Sequence, residues 1–95
     1  MTAYIVCLID VTDPDGYSKY VELAGPAVQK NGGRFLARGS EVEALEGACR
    51  PGRVVIAAFD DMEAARRSYR SPEYQRARTY RIGAASFQAI LVSGS

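Results

Sequence analysis

The chain reads as an α+β domain, an antiparallel sheet with helices on one face, and three observations predict it. Tyr4 to Ile9, Val54 to Phe59 and Phe87 to Val92 are strand-length runs, apolar at nearly every position, so strands there hide both faces from water. Two helical regions lie between them. The order is strand, helix, two or three strands, helix and strand, which is a ferredoxin-like arrangement. Right-handed crossovers place both helical regions on one side of the sheet, leaving the opposite side in need of cover. The apolar surplus therefore predicts a homodimer joined face to face through the sheet, each copy a single domain over residues 1–95.

Each element has its own signals. The first strand ends at Asp10. Asp13 and Pro14 then suit an N-cap and first helical position, and Tyr17, Tyr20, Val21, Ala24 and Val28 fall on one helical face. Gly25 and Pro26 are expected to kink or divide that helix, and Gly32 with Gly33 to stop it. Arg34 to Arg38 and Glu41 to Glu46 read as paired strands joined by Gly39 and Ser40, glycine standing first as a type II′ turn requires. Gly47 to Gly52 is a loop before the next strand. Asp60 and Asp61 are placed to cap a helix carrying Met62, Ala65 and Tyr69 inward, and Ser71 with Pro72 interrupts and restarts it. The second segment runs to about Arg81 with Tyr74, Ala77 and Arg81 on one side, before a last strand from near Ser86.

Composition narrows the function. A monomer of 95 residues buries only about 60 to 65% of its unfolded surface, so partner contacts help a marginal core. Histidine is absent, which removes the usual neutral-pH base and the commonest metal ligand; a second copy has none to lend. No nucleophile and base pair, metal cluster or phosphate loop is present, and no cofactor is expected. Cys7 sits inside an apolar strand and Cys49 in a loop beside Arg50, so neither suggests a disulfide framework. The reactivity of Cys49 depends on its exposure. No leader or long apolar span is visible, and the expectation is a cytoplasmic protein without a membrane partner. Ala64–Ser95 holds six arginines against Glu73, net +5, against −4 for the first 63 residues. A basic third can attract an anionic ligand or nucleic acid, and solvated helix faces offset by the acidic first part account for the bias equally well; no nucleic-acid partner is expected.

Across nearly its whole length the chain resembles the bacterial family called domain of unknown function 1330, within the dimeric α/β-barrel superfamily. The resemblance is carried by Asp10 to Pro14 with Tyr17 and Tyr20, Gly32 to Gly39, Val42 to Gly47, Asp61 to Ala65, and Ser71 to Tyr74. It implies a ferredoxin-like fold forming a dimeric α/β barrel, with a pocket between sheet and helices in each subunit. It implies no settled reaction, because the superfamily includes cofactor-independent monooxygenases, isomerases, haem enzymes and ligand-binding domains. The chain departs from the family pattern at Ala58, Asn31 and Cys49, where glutamate, histidine and tryptophan are frequent. Those departures weaken a catalytic role for that glutamate or histidine in this chain.

Candidate site residues follow from chemistry and placement. Arg38 ends a strand beside Gly39, and its planar fork suits a carboxylate ligand; an ion pair with Glu46 across the hairpin is the structural alternative. Strand alternation puts Arg34, Leu36 and Arg38 on one face. Tyr17, Tyr20 and Tyr74 are core residues by spacing, and phenols at a helix and sheet interface need polar partners and often line a cavity. Arg81 faces inward beside Tyr74. Asp10 is a weak catalytic candidate, either a base at a pocket mouth or a turn residue acting through Thr12 and Asp13. The expected function is binding of a small anionic organic molecule between sheet and helices. The alternatives are a cofactor-independent isomerase or monooxygenase, and a structural dimer without ligand.

Overall fold

In the computed structural model, which describes residues 1–95, the chain runs β1 (Ala3–Val11), α1 (Pro14–Lys30), β2 (Arg34–Gly39), β3 (Arg53–Phe59), α2 (Met62–Arg70), α3 (Pro72–Arg81) and β4 (Ala85–Ser93). The strands form one sheet in the order β2-β3-β1-β4, every neighbouring pair antiparallel. This is the ferredoxin-like topology: each helical crossover skips one strand.

Alternation divides the two central strands cleanly. Ala3, Ile5, Cys7 and Ile9 of β1, with Val55, Ala57 and Phe59 of β3, pack beneath the helices. Alanines at Ala24, Ala27, Ala65 and Ala77 let the helices approach one another and the sheet closely. The opposite face carries Tyr4, Val6, Leu8, Val54, Ile56, Ile90 and Val92 with no helix over it, and there Ile90 is 62% and Val92 46% exposed.

Capping explains the helix boundaries. Pro14 opens α1, and the amides of Thr12 and Asp13 just ahead of it both donate to the Ala84 carbonyl at 2.8 and 2.9 Å. Asp13 is the N-cap, although its side chain accepts no capping bond. At the other end Gly33 N–H donates to Val28 O at 2.9 Å and Gly32 N–H to Gln29 O at 3.2 Å, with Gly32 at φ +89°, a Schellman stop. Gly33 cannot carry a side chain, since a Cβ there would lie 2.6 Å from Val28 Cγ1 and 2.7 Å from the buried Phe59 ring. Asp61 Oδ1 accepts from Ala64 N–H at 2.7 Å to begin α2. Ser71 joins α2 to α3: its hydroxyl donates to Ser68 O at 2.8 Å and accepts from Tyr74 N–H at 3.2 Å.

Three expectations are corrected. α1 is not divided: it runs as one helix through Gly25 and Pro26. Its apolar face, packed on the sheet and α3, holds it together despite the missing amide at Pro26. Glu41 to Glu46 form no strand; β2 pairs directly with β3, and residues 40–52 form an irregular, largely exposed connection in which Leu45 is 88% exposed. A hairpin would have laid that segment on the outer edge of β2, where it has three glutamates and too few apolar side chains to offset the entropy of ordering it. The third expectation, regular alternation through Arg38, fails at the site itself.

Candidate functional site

Strict alternation in β2 would align Arg38 with Arg34 and Leu36. Instead the register shifts between Phe35 and Ala37: Phe35 lies opposite Ala57, Ala37 opposite Ile56 and Arg38 opposite Val55. This irregularity inserts one extra residue and returns Arg38 to the face that Phe35 occupies. The Arg38 guanidinium then stacks over the Phe35 ring, 4.2 Å from its centroid, and stands exposed at the mouth of a cavity. Arg38 makes no ion pair with Glu46; the salt bridges of the chain are Lys19–Glu22, Lys30–Glu73 and Glu63–Arg66.

The cavity, about 70 Å³, lies between the sheet and the helices. Its floor is Ile5, Cys7, Val55 and Ala57; its walls include Tyr17, Tyr20, Ala24, Val28, Phe59 and Tyr74. The lining contains two cations, Arg38 and Arg53, and no carboxylate. Tyr20 and Tyr74 meet hydroxyl to hydroxyl at 2.8 Å, with their rings edge to face at 6.2 Å. The hinge at Ser71 places Tyr74 for that contact, and the face of α1 that predicts a core contact supplies Tyr20.

Electrostatics follow from burial. Removal from water raises the cavity tyrosines Tyr17, Tyr20 and Tyr74 above their ordinary value. Burial also pushes the Cys7 thiol up to about 11, against a smaller opposing pull from Arg81. At neutral pH these groups are therefore proton holders, and none is a base or a thiolate nucleophile. The arrangement can bind, orient and donate hydrogen bonds.

Tyr17, Tyr20, Tyr74 and Arg38 are brought together at one cavity. Arg81 is buried behind it, its guanidinium 3.8 Å over the Phe87 ring and 5.6 Å from that of Tyr20, outside the lining. Asp10 also lies outside the lining: its Oδ1 accepts from Gly52 N–H at 2.8 Å, tying the end of β1 to the entry of β3. Cys7 is buried and Cys49 exposed, both free. Arg53 is the residue that sequence reasoning missed. Its signal was present, because counting back by twos from Phe59 puts Ala57, Val55 and Arg53 on one face.

No curated protein matches the chain. Among solved structures, a Rhodopseudomonas palustris protein of unknown function matches with a TM-score of 0.75 at 22% identity, over 99% of this chain and 82% of that one. SnoaB, a cofactor-independent oxygenase from Streptomyces nogalater, matches with a TM-score of 0.71 at 17% identity, over 99% and 93%. A dimeric ferredoxin-like protein of unknown function from Thermobifida fusca matches at 0.69 and 17%, over 99% and 92%. At these identities the likeness is one of fold. The family is shown by the sequence itself: a family model matches residues 2–95, and the chain belongs to the family described as domain of unknown function (DUF1330).

Proposed function

We propose that this chain is a homodimer, joined through the bare face of its sheet, that binds a small anionic organic molecule in the cavity of each subunit. Arg38 contacts the anion, and Tyr17, Tyr20 and Tyr74 form the walls. The observation that carries the reading is the irregularity in β2, which brings a cation without an acidic partner to a largely apolar cavity. Had Arg38 faced the other way and paired with Glu46, a purely structural dimer would be favoured. The bare apolar face supports the dimer, as does the description of the Thermobifida fusca protein as dimeric. No helix is long and apolar enough to cross a membrane.

A second reading, a cofactor-independent isomerase or monooxygenase, draws on the fold likeness to SnoaB. On that reading the cavity phenols supply protons to a bound substrate. Neither Tyr20 nor Tyr74 is suited to remove one at neutral pH, given how burial raises both. Binding is the better supported function.

Native mass spectrometry of the protein as purified tests both parts at once. The expected spectrum is a dimer with a reproducible added small mass, absent in Arg38→Gln. An Arg38→Gln variant that keeps the added mass counts against the site, and a monomer counts against the dimer.

A further inference from the structure

Arg53 deepens the binding reading and rests on it. Arg38 lies opposite Val55 in the β2 to β3 ladder, and Arg53 precedes Val55 by two residues on the same strand. The two guanidiniums thus spring from diagonal neighbours on one face, with Cα atoms roughly 7 to 8 Å apart. Both side chains line the cavity, Arg38 reaching toward Phe35 and Gly25 and Arg53 toward Tyr17.

Their surroundings differ. Arg38 is exposed at the mouth, whereas Arg53 is half-buried, and its Nε–H is shut off from water without an acceptor. An orphaned donor on a charged side chain is costly, so its position on a cavity wall points to an acceptor arriving from outside the chain. The Tyr17 phenol lies beside the Arg53 guanidinium, an uncharged neighbour that leaves the cation unbalanced. Neither arginine has a salt bridge.

We infer that Arg53 is the second, inner arm of a two-arginine clamp and that the ligand is a compact dicarboxylate, one carboxylate on each guanidinium. Two cations and no acid in the lining leave a local charge that a dianion balances and a monoanion does not. A phosphate ester offers the same charge but a poorer fit. Its further oxygens need backbone amides, and the lining contains no glycine-rich loop, while the amides of Thr12 and Asp13 ahead of α1 are already held by Ala84 O. The small volume limits the apolar part between the carboxylates to a short spacer.

Calorimetric titration of the intact protein with succinate, butyrate and inorganic phosphate tests this. Succinate and butyrate share a chain length and differ by one carboxylate in place of a methyl. A charged hydrogen-bonded contact changes affinity roughly ten- to hundredfold, so succinate is expected to bind at least about tenfold more tightly than butyrate. Arg53→Gln should remove that preference while butyrate binding persists through Arg38, and Arg53→Lys, which keeps the charge, should retain part of it. Thermal melts with and without ligand check that each variant is folded. Equal affinity for succinate and butyrate, a preference that survives Arg53→Gln, or tighter binding of phosphate overturns the clamp and leaves the cavity as a binding site. If the wild-type protein binds none of the three, the binding reading falls and the clamp falls with it.

Discussion

The two faces of the sheet are built from the same strands and nearly the same apolar residues, yet they have opposite fates. Beneath the helices, Val55, Cys7 and Ala89 form one cross-strand row, as do Ala57, Ile5 and Leu91. On the other face Ile56, Val6 and Ile90 form an equivalent row, with Tyr4 and Val92 beside it, and no helix of the chain covers them. Hydrophobicity alone does not mark which face becomes the core; the hand of the two crossovers does. The covered face gains small residues, tyrosines and two arginines around a cavity. The bare face is a stripe of mostly aliphatic side chains, as a protein interface requires.

Charge insertion separates the faces most sharply. Ile9 is 1% exposed under the helices, so Ile9→Asp buries an unpaired charge, which exceeds roughly 4 kcal/mol and should abolish cooperative unfolding. Ile56→Asp places the same charge on the bare face. On the proposed dimer it converts a dimer into a monomer that keeps its helical circular dichroism, and sedimentation equilibrium reads the difference. A dimeric Ile56→Asp protein would show that the bare face is not where copies meet.

The covered face also sets a pH limit. Cys7 is raised from the usual 9.0 to about 11, and Tyr17, Tyr20 and Tyr74 are raised above 10.0, in each case chiefly by burial. In the unfolded chain these groups ionise first, so above pH 9 the folded state holds more protons and stability falls as pH rises. It is intact below pH 9. For Cys7 alone the loss by pH 11 is about 2 kcal/mol, since each tenfold difference in proton affinity between the folded and unfolded chain is worth roughly 1.4 kcal/mol and the folded thiol is itself half ionised there. Urea unfolding from pH 8 to 11 should show this decline, and Cys7→Ala should flatten its first part. A flat profile in the wild type would mean that water reaches the cavity floor.

Most of this architecture was legible in the residues. The three apolar runs, the helix spacing of Tyr17, Tyr20 and Ala24, and the restart at Ser71 each correspond to an observed element. The misses have physical causes. Gly39 and Ser40 carry the chemistry of a tight turn, but the segment after them is acidic and could join only the outer edge of β2, so too little burial was on offer and the local signal lost. The site was harder to read than the fold because it depends on an irregularity. Arg34, Phe35, Leu36, Ala37 and Arg38 alternate normally in sequence, and nothing in them announces the extra residue that turns Arg38 to the cavity. Arg53, by contrast, follows simple alternation, and its role was hidden only by its place at the start of an apolar run.

Asp10 offers the smallest and most discriminating test. By alternation it continues the bare stripe of Tyr4, Val6 and Leu8, on the side of the sheet away from the cavity, and its carboxylate holds the Gly52 amide at 2.8 Å. A net hydrogen bond contributes roughly 0.5 to 1.5 kcal/mol, and exposure puts this one toward the lower end, so Asp10→Ala should cost well under what Ile9→Asp does. Asp10→Asn keeps a carbonyl acceptor and should cost less still. Amide exchange at Gly52 should quicken in Asp10→Ala and change little in Asp10→Asn. Ligand affinity should be unaltered in both, because the carboxylate works on the wrong face to meet a molecule under the helices. If Asp10→Asn instead lost binding while its stability held, the division of labour between the two faces would be wrong, and the chemistry would have to be sought where the partner's sheet comes to rest.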